Sequence, residues 1–118
     1  MIRVLRERAR LELERQVRPY RSARKRPRPP EGWLRAMRLA TGIPADQIAK
    51  TMDYSKKMVF QTERSEQRKT ISLHLLERMA RAVECDVVYG LVPWTRSLED
   101  RALEMVEQEL WRKRFTRR

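Results

Sequence analysis

Pro44-Ala45-Asp46-Gln47-Ile48-Ala49-Lys50-Thr51-Met52-Asp53-Tyr54-Ser55-Lys56-Lys57-Met58-Val59-Phe60-Gln61-Thr62-Glu63-Arg64 is the stretch on which the fold turns. Pro44 sits where a helix can start. Ala45 to Met52 then reads as a short helix with Ile48, Ala49 and Met52 apolar. Asp53-Tyr54 is a turn, and Ser55 is a good N-cap for a helix over about 56–65. In that second helix Met58 and Val59 supply an inward face. Ala49 is small and stands four residues before Asp53, so two helices can approach closely there. Val59, ten residues further on, faces back into the same junction. A short helix, a three-residue turn and a capped helix make the geometry of a helix-turn-helix. Helical proteins that bind nothing can meet the same packing constraints.

Working outward, residues 32–41 predict a helix with Trp33, Met37 and Ala40 as its stripe, Leu34 beside it and Gly42 at its end. Ser65 to Thr70 is polar and loop-like. Ser72 caps a further helix with Leu73, Leu76, Ala80 and Val83 inward, and Leu75, Met79 and Ala82 adjacent. Residues 2–18 are amphipathic, with Ile2, Leu5, Ala9, Leu13 and Val17 at three- and four-residue steps, and Pro19 ends them. Ser97-Leu98-Glu99-Asp100 resembles a capping box opening a helix to about Phe115. Val87-Val88-Tyr89-Gly90-Leu91-Val92 is β-branched and aromatic and is stopped by Pro93, which predicts one strand over 86–92. The expected architecture is therefore mainly α with one short strand. Its parts are an N-terminal helix over 1–18, a basic Pro-rich linker over 19–31, a helix-turn-helix domain over 32–84, and a strand plus C-terminal helix over 85–118.

The 118 residues carry 28 Lys and Arg against 16 Asp and Glu, a net charge of +12. Such a chain attracts polyanions. Residues 1–30 hold eleven basic residues against three acidic, a net +8, and Arg15 to Arg28 contains no acid at all. Pro27, Pro29 and Pro30 favour an extended chain there. Two readings stand for this arm: a solvated tail, or one that lies along phosphates through residues such as Arg24, Lys25 and Arg26. They are compatible, because a free tail can order on contact. A mean hydropathy of −0.78 and the lack of a long apolar run exclude a membrane span, and MIRVLRERAR is no secretory signal, so a cytoplasmic location is expected. Cys85 is alone, which excludes an intramolecular disulfide, and is read as a small buried apolar residue. His74 is read as a structural or surface residue. Trp33, Trp94 and Trp111 are read as core or interface packing. No Gly-rich phosphate loop, metal-ligand spacing or nucleophile arrangement is present, so neither catalysis nor a cofactor or metal is assigned.

Leu34-Arg35, Gly42-Ile43, Gln47-Ile48-Ala49, Ser55, Val59 and Glu63-Arg64 resemble the signature of the lambda-repressor-like, or XRE-type, DNA-binding family over about residues 32–84. The resemblance implies that the helix opening at Ser55 enters the major groove. It implies that Lys56, Lys57, Phe60 and Gln61 face bases, and that Ser55 and Arg64 touch phosphate. The chain departs from that pattern at Pro44-Ala45, where Ser-Gln is common, at Asp53 in place of the turn glycine, and at Thr62 in place of an apolar residue. Pro29 to Arg38, Glu63-Arg64-Ser65-Glu66 and Cys85 to Pro93 further resemble the "mobile mystery protein A" family. Its members are XRE-type proteins encoded beside a Fic-domain protein, in an arrangement like a toxin–antitoxin pair.

Chemistry independent of that resemblance allows the same roles and some plainer ones. Lys donates to O6 and N7 of guanine, and Gln pairs with N6 and N7 of adenine. Lys56 and Lys57 can equally bind phosphate or simply be solvated. Phe60 can meet a thymine methyl or belong to the core. A lone strand leaves backbone groups unpaired; a homodimer through 86–92 and the 97–115 helix would satisfy them and set two recognition helices ~34 Å apart on a palindromic operator, the alternative being a strand that pairs with a partner protein's edge. The expectation is a homodimeric transcriptional repressor, an autoregulator of antitoxin type acting on double-stranded DNA. Two rivals remain: a module that masks a Fic-type toxin through residues 1–18 and 97–115, and a sequence-tolerant RNA or single-strand binder acting through the arginine arm.

Overall fold

The structure is a computed structural model that describes residues 2–116, with side chains from residue 4 to residue 114. It is mainly helical. Among the described residues there are six α-helices: α1 (Ile2–Val17), α2 (Trp33–Thr41), α3 (Ala45–Met52), α4 (Lys56–Gln67), α5 (Leu73–Ala82) and α6 (Leu98–Thr116). None is long and apolar enough to cross a membrane. The chain divides into two compact units, residues 27–89 and residues 1–26 with 90–118. The N- and C-terminal helices thus share a unit that the sequence reading had kept as separate segments.

In the first unit α2 to α5 surround one apolar core of Leu34, Ala45, Ile48, Ala49, Met52, Val59, Met79, Ala82 and Val83. Ile48, Val59 and Met79 are the largest fully buried side chains. Each contributes roughly 1.5–3 kcal/mol of apolar transfer. The helix ends follow from local chemistry. Gly42 closes α2 at φ 77°, and Asp53 closes α3 at φ 56° with the Tyr54 N–H bonded to the Ala49 carbonyl. Asp is among the few non-glycine residues that visit this left-handed region, so the turn forms without the glycine usual in the family that the sequence resembles. Ser55 Oγ accepts from the Met58 N–H at 3.1 Å, and Ser72 Oγ from the Leu75 N–H at 3.1 Å. The structure thus has both of these expected N-caps, and the expected cap at Ser97 as well, its Oγ accepting from the Asp100 N–H at 3.1 Å. Thr62 is buried where an apolar residue is usual, and its hydroxyl is satisfied by the Met58 carbonyl at 2.8 Å.

Two carboxylates of α4 are buried and paired. Glu63 receives Arg38 from α2 in a bidentate bridge at 2.6 and 3.0 Å. That bridge raises the Arg38 pKa above its ordinary value. Glu66 accepts the Leu34 N–H at 2.9 Å in the first turn of α2, and Arg28 at 2.7 Å. Arg28 also reaches the carbonyls of Glu66 and Gln67. Gly32, at φ +87°, leaves room for this carboxylate: a Cβ there would lie 2.9 Å from Glu66 Oε1.

Several expectations need correction. Leu34, not Trp33, carries the inner face of α2, while Trp33 and Ala40 are exposed. Met58 and Leu73 also point outward, and α5 turns Met79 to the core. The helix from Ser55 runs on to Gln67, past the expected loop start. No strand forms among the described residues: 86–92 is irregular, because nothing else in the chain offers it an edge to pair with. Trp94 is 93% exposed and Trp111 is exposed too, so they do not build a core in this chain. Cys85 is half-buried against the core, and His74 is exposed.

In the second unit α1 and α6 are joined by polar contacts more than by apolar ones. Glu14 accepts from Arg21 at 2.8 and 2.9 Å and from the Leu98 N–H at 3.1 Å. Arg21 first, and Leu98 second, hold the Glu14 carboxyl below the usual carboxylate range. Arg10 bridges to Glu99 at 3.0 Å. Of the stripe expected on α1, Val17 is buried, Leu5, Ala9 and Leu13 are exposed, and Ile2 lies outside the described side chains, as does Phe115 at the expected end of α6. The basic linker is partly wound into 3-10 turns at Arg18–Tyr20 and Ser22–Lys25 rather than extended throughout. Gly90 packs on the Tyr20 ring so closely that a Cβ would lie 2.8 Å from it.

Replacing Glu66 tests the polar clasp. Glu66→Ala should lower the unfolding free energy by about 2–3 kcal/mol, because it strands Arg28 and the Leu34 N–H. Glu66→Gln keeps an acceptor and should lose less. Chemical denaturation of the full chain checks both, and equal losses would show that the charge at this position adds nothing.

Candidate nucleic-acid interface

A helix of 3.6 residues per turn places Lys56, Phe60, Arg64, Lys57 and Gln61 within an arc of about 140°. Val59, Thr62, Glu63 and Glu66 fill the opposite side and are buried. The inner side of α4 is therefore held by the core and by two ion pairs, and the outer side is presented to solvent. Ser55, Lys56, Lys57, Gln61 and Arg64 are all exposed. The capping bond at Ser55 fixes the first turn, so Lys56 and Lys57 project from an ordered backbone.

The five outward residues differ in freedom. Lys56 lies 3.8 Å from Asp46 at the start of α3, a loose surface pair worth little in water. Lys57, Gln61 and Arg64 meet no ion-pair partner among the described residues. Phe60 is half-buried against the core, and the Arg38 guanidinium stands 5.5 Å from its ring centroid. Of the two sequence readings of Phe60, this position favours packing over contact with a base.

Arg35 of α2 was passed over as a site residue in the sequence reading. It is exposed and shares with Phe60 and Arg64 the rim of a shallow recess of about 260 Å³. Arg38 forms the floor of the same recess and is committed to Glu63. The 25 residues between Arg38 and Glu63 leave no local pattern by which either could have been found. Arg24, Lys25 and Arg26 are exposed and belong to the other unit. Three arginines of the expected phosphate-binding run already meet carboxylates, Arg21 at Glu14, Arg28 at Glu66 and, more loosely at 3.6 Å, Arg15 at Glu12. Among the described residues no group of three His, Cys, Asp or Glu is placed to hold a metal ion.

In comparisons with protein-family models, curated proteins and solved structures, nothing matches this chain.

Proposed function

We propose that the chain is a sequence-specific binder of double-stranded DNA, a transcriptional repressor that reads the major groove through the exposed arc of α4. The reading assigns α3, the turn at residues 53–55 and α4 to a lambda-repressor-like helix-turn-helix. The observation that carries it is the division of α4 into a buried, ion-paired inner face and an outer arc of Lys56, Lys57, Gln61 and Arg64. A net charge of +12 supports a polyanionic partner. On this reading Lys56, Arg64, Ser55 and Arg35 meet phosphates, and Lys57 and Gln61 reach base edges. An XRE-type autoregulator of antitoxin kind, acting in the cytoplasm without catalysis or a cofactor, belongs to the same proposal.

An exposed apolar face on α6, formed by Leu103, Val106 and Leu110, supports a protein partner in addition to DNA. We assign this face to a second copy of the chain, since two recognition helices ~34 Å apart suit a palindromic site. With no strand among the described residues, the proposed dimer rests on α6, the other part of the expected interface. A Fic-type toxin held on the same helix is the second reading, in which the chain is chiefly a neutralising module.

Three outcomes follow. In anisotropy titrations against duplex from the gene's own promoter, Gln61→Ala should cost ~1–3 kcal/mol on the cognate site and little on scrambled duplex. Equal losses on both would refute base reading at Gln61. Replacing Arg24, Lys25 and Arg26 together with Ala should flatten the salt slope of log K by up to about 2.7, three phosphates at ~0.9 each. An unchanged slope would remove the arm from the DNA. Light scattering of the native chain should give twice the 14.3 kDa monomer mass, and Leu103→Glu with Leu110→Glu should restore the monomer. A native monomer at micromolar concentration would end the dimer proposal.

A further inference from the structure

A second concavity lies in the unit formed by residues 27–89 and involves neither α3 nor α4. It is a groove of about 450 Å³ bounded by α2, α5 and the irregular segment after Cys85. That volume falls within the range of small-molecule sites, and its walls are of the kind such sites use. Trp33 and Met37 of α2, Leu76 of α5, and Val88 and Tyr89 of the irregular segment are among the residues that line it. Asp86 is the one charged residue on its lining, is exposed, and has neither an ion-pair nor a hydrogen-bond partner among the described residues.

We propose that this groove binds a small molecule with an apolar body and a single amine, the body seated between Trp33 and Tyr89 and the ammonium donating to the Asp86 carboxylate. The argument is one of charge complementarity set against the field of the whole chain. At net +12 the protein as a whole repels cations and attracts anions. The groove is the reverse: its only charge is negative, and its lining holds no cation to pair with a carboxylate or a phosphate. The site is independent of the DNA-binding proposal, because none of its lining residues belongs to the arc of α4.

The test uses three isosteric probes: 4-phenylbutylamine, 4-phenylbutanol and 4-phenylbutyrate. The reporter is Trp33 fluorescence in the full chain carrying Trp94→Phe and Trp111→Phe. A fragment of this size should saturate with a Kd on the order of 0.1–1 mM. The amine should bind about two- to fivefold more tightly than the alcohol, and more tightly still than the acid. Asp86→Asn, a change at an exposed position, should make the amine and the alcohol equivalent. Val88→Arg, also at an exposed position on the rim, should abolish binding of the amine. Each of four results would overturn the proposal: no saturation of the amine by 10 Kd of the expected ~1 mM, an acid that binds as well as the amine, a preference that survives Asp86→Asn, or an affinity that falls as protein concentration rises. The last would mark a groove covered by a second copy.

Discussion

The inner face of α4 carries two carboxylates, Glu63 and Glu66, whose side chains are each only 5% exposed. An ion so placed is costly without a partner. Both are answered from α2 and the residues that lead into it. Arg38 grips Glu63 with two donors, and Glu66 takes Arg28 and the Leu34 N–H. The two carboxylates stand one helical turn apart, so together they fix both the rotation of α4 about its axis and its position along it. Val59, fully buried one turn before Glu63, fills the apolar part of the same face. Once that face is fixed, the direction of Lys57, Gln61 and Arg64 follows from helix geometry alone.

What was legible in the sequence was whatever is decided within four or five residues. Ser55 and Ser72 act as N-caps because a side-chain oxygen reaches an N–H three residues on, and that needs no knowledge of the rest of the chain. Gly42 ends α2 for a reason equally local. The rotation of each helix was less legible. The choice between Trp33 and Leu34 as the inner residue of α2, or between Leu73 and Met79 on α5, depends on which neighbour each helix meets. Neighbouring apolar residues at three- and four-residue steps give two overlapping stripes, and only the partner helix decides between them. The pairs Arg38 with Glu63 and Arg28 with Glu66 were beyond reach for the same reason, since 25 and 38 residues of chain separate them. The segment over 86–92 shows the limit of composition: Val and Tyr favour a strand only when an edge is present to pair with.

The unit of residues 1–26 and 90–118 is built on a different balance. Its contacts run through Glu14, Arg21, Arg10 and Glu99, and among the described side chains of the stripe expected on α1 only Val17 is buried. Ion pairs this close to solvent add little net stability, because water screens them and two long side chains must be held in place. Leu5, Leu11 and Leu13 on α1 and Leu103, Val106 and Leu110 on α6 remain exposed. A helix pair that buries so little apolar surface lacks the term that ordinarily offsets chain entropy. Glu14 adds a pH dependence of known sign. Its carboxyl is held below the usual range when folded, so its stabilisation is present above the ordinary carboxylate pKa and is lost as the pH falls through the lowered value. A second copy of the chain or another protein on α6 would add the missing apolar burial, which is why the proposed dimer rests on this helix.

On the proposed reading, affinity and selectivity would come from different residues of one arc. Lys56 and Arg64 offer charge, and charge directed at phosphate carries no sequence information. Arg64 and Arg35 share a rim from which Arg38 is withdrawn by its bridge to Glu63, so the buried pair leaves the outer arginines to the polyanion. Gln61 is the outward residue with both a donor and an acceptor on a planar amide, the arrangement that adenine matches. Lys57 lies one residue beyond Lys56, clear of Asp46, and its three donors suit the two acceptors of guanine. Phe60 holds the arc in place from beneath, where the core and the Arg38 guanidinium enclose it. A helix arranged in this way would bind any duplex by its charge and discriminate through the pair Lys57 and Gln61. Because that pair is held by an ordered first turn, little of the interaction energy would be spent on ordering the backbone that carries it.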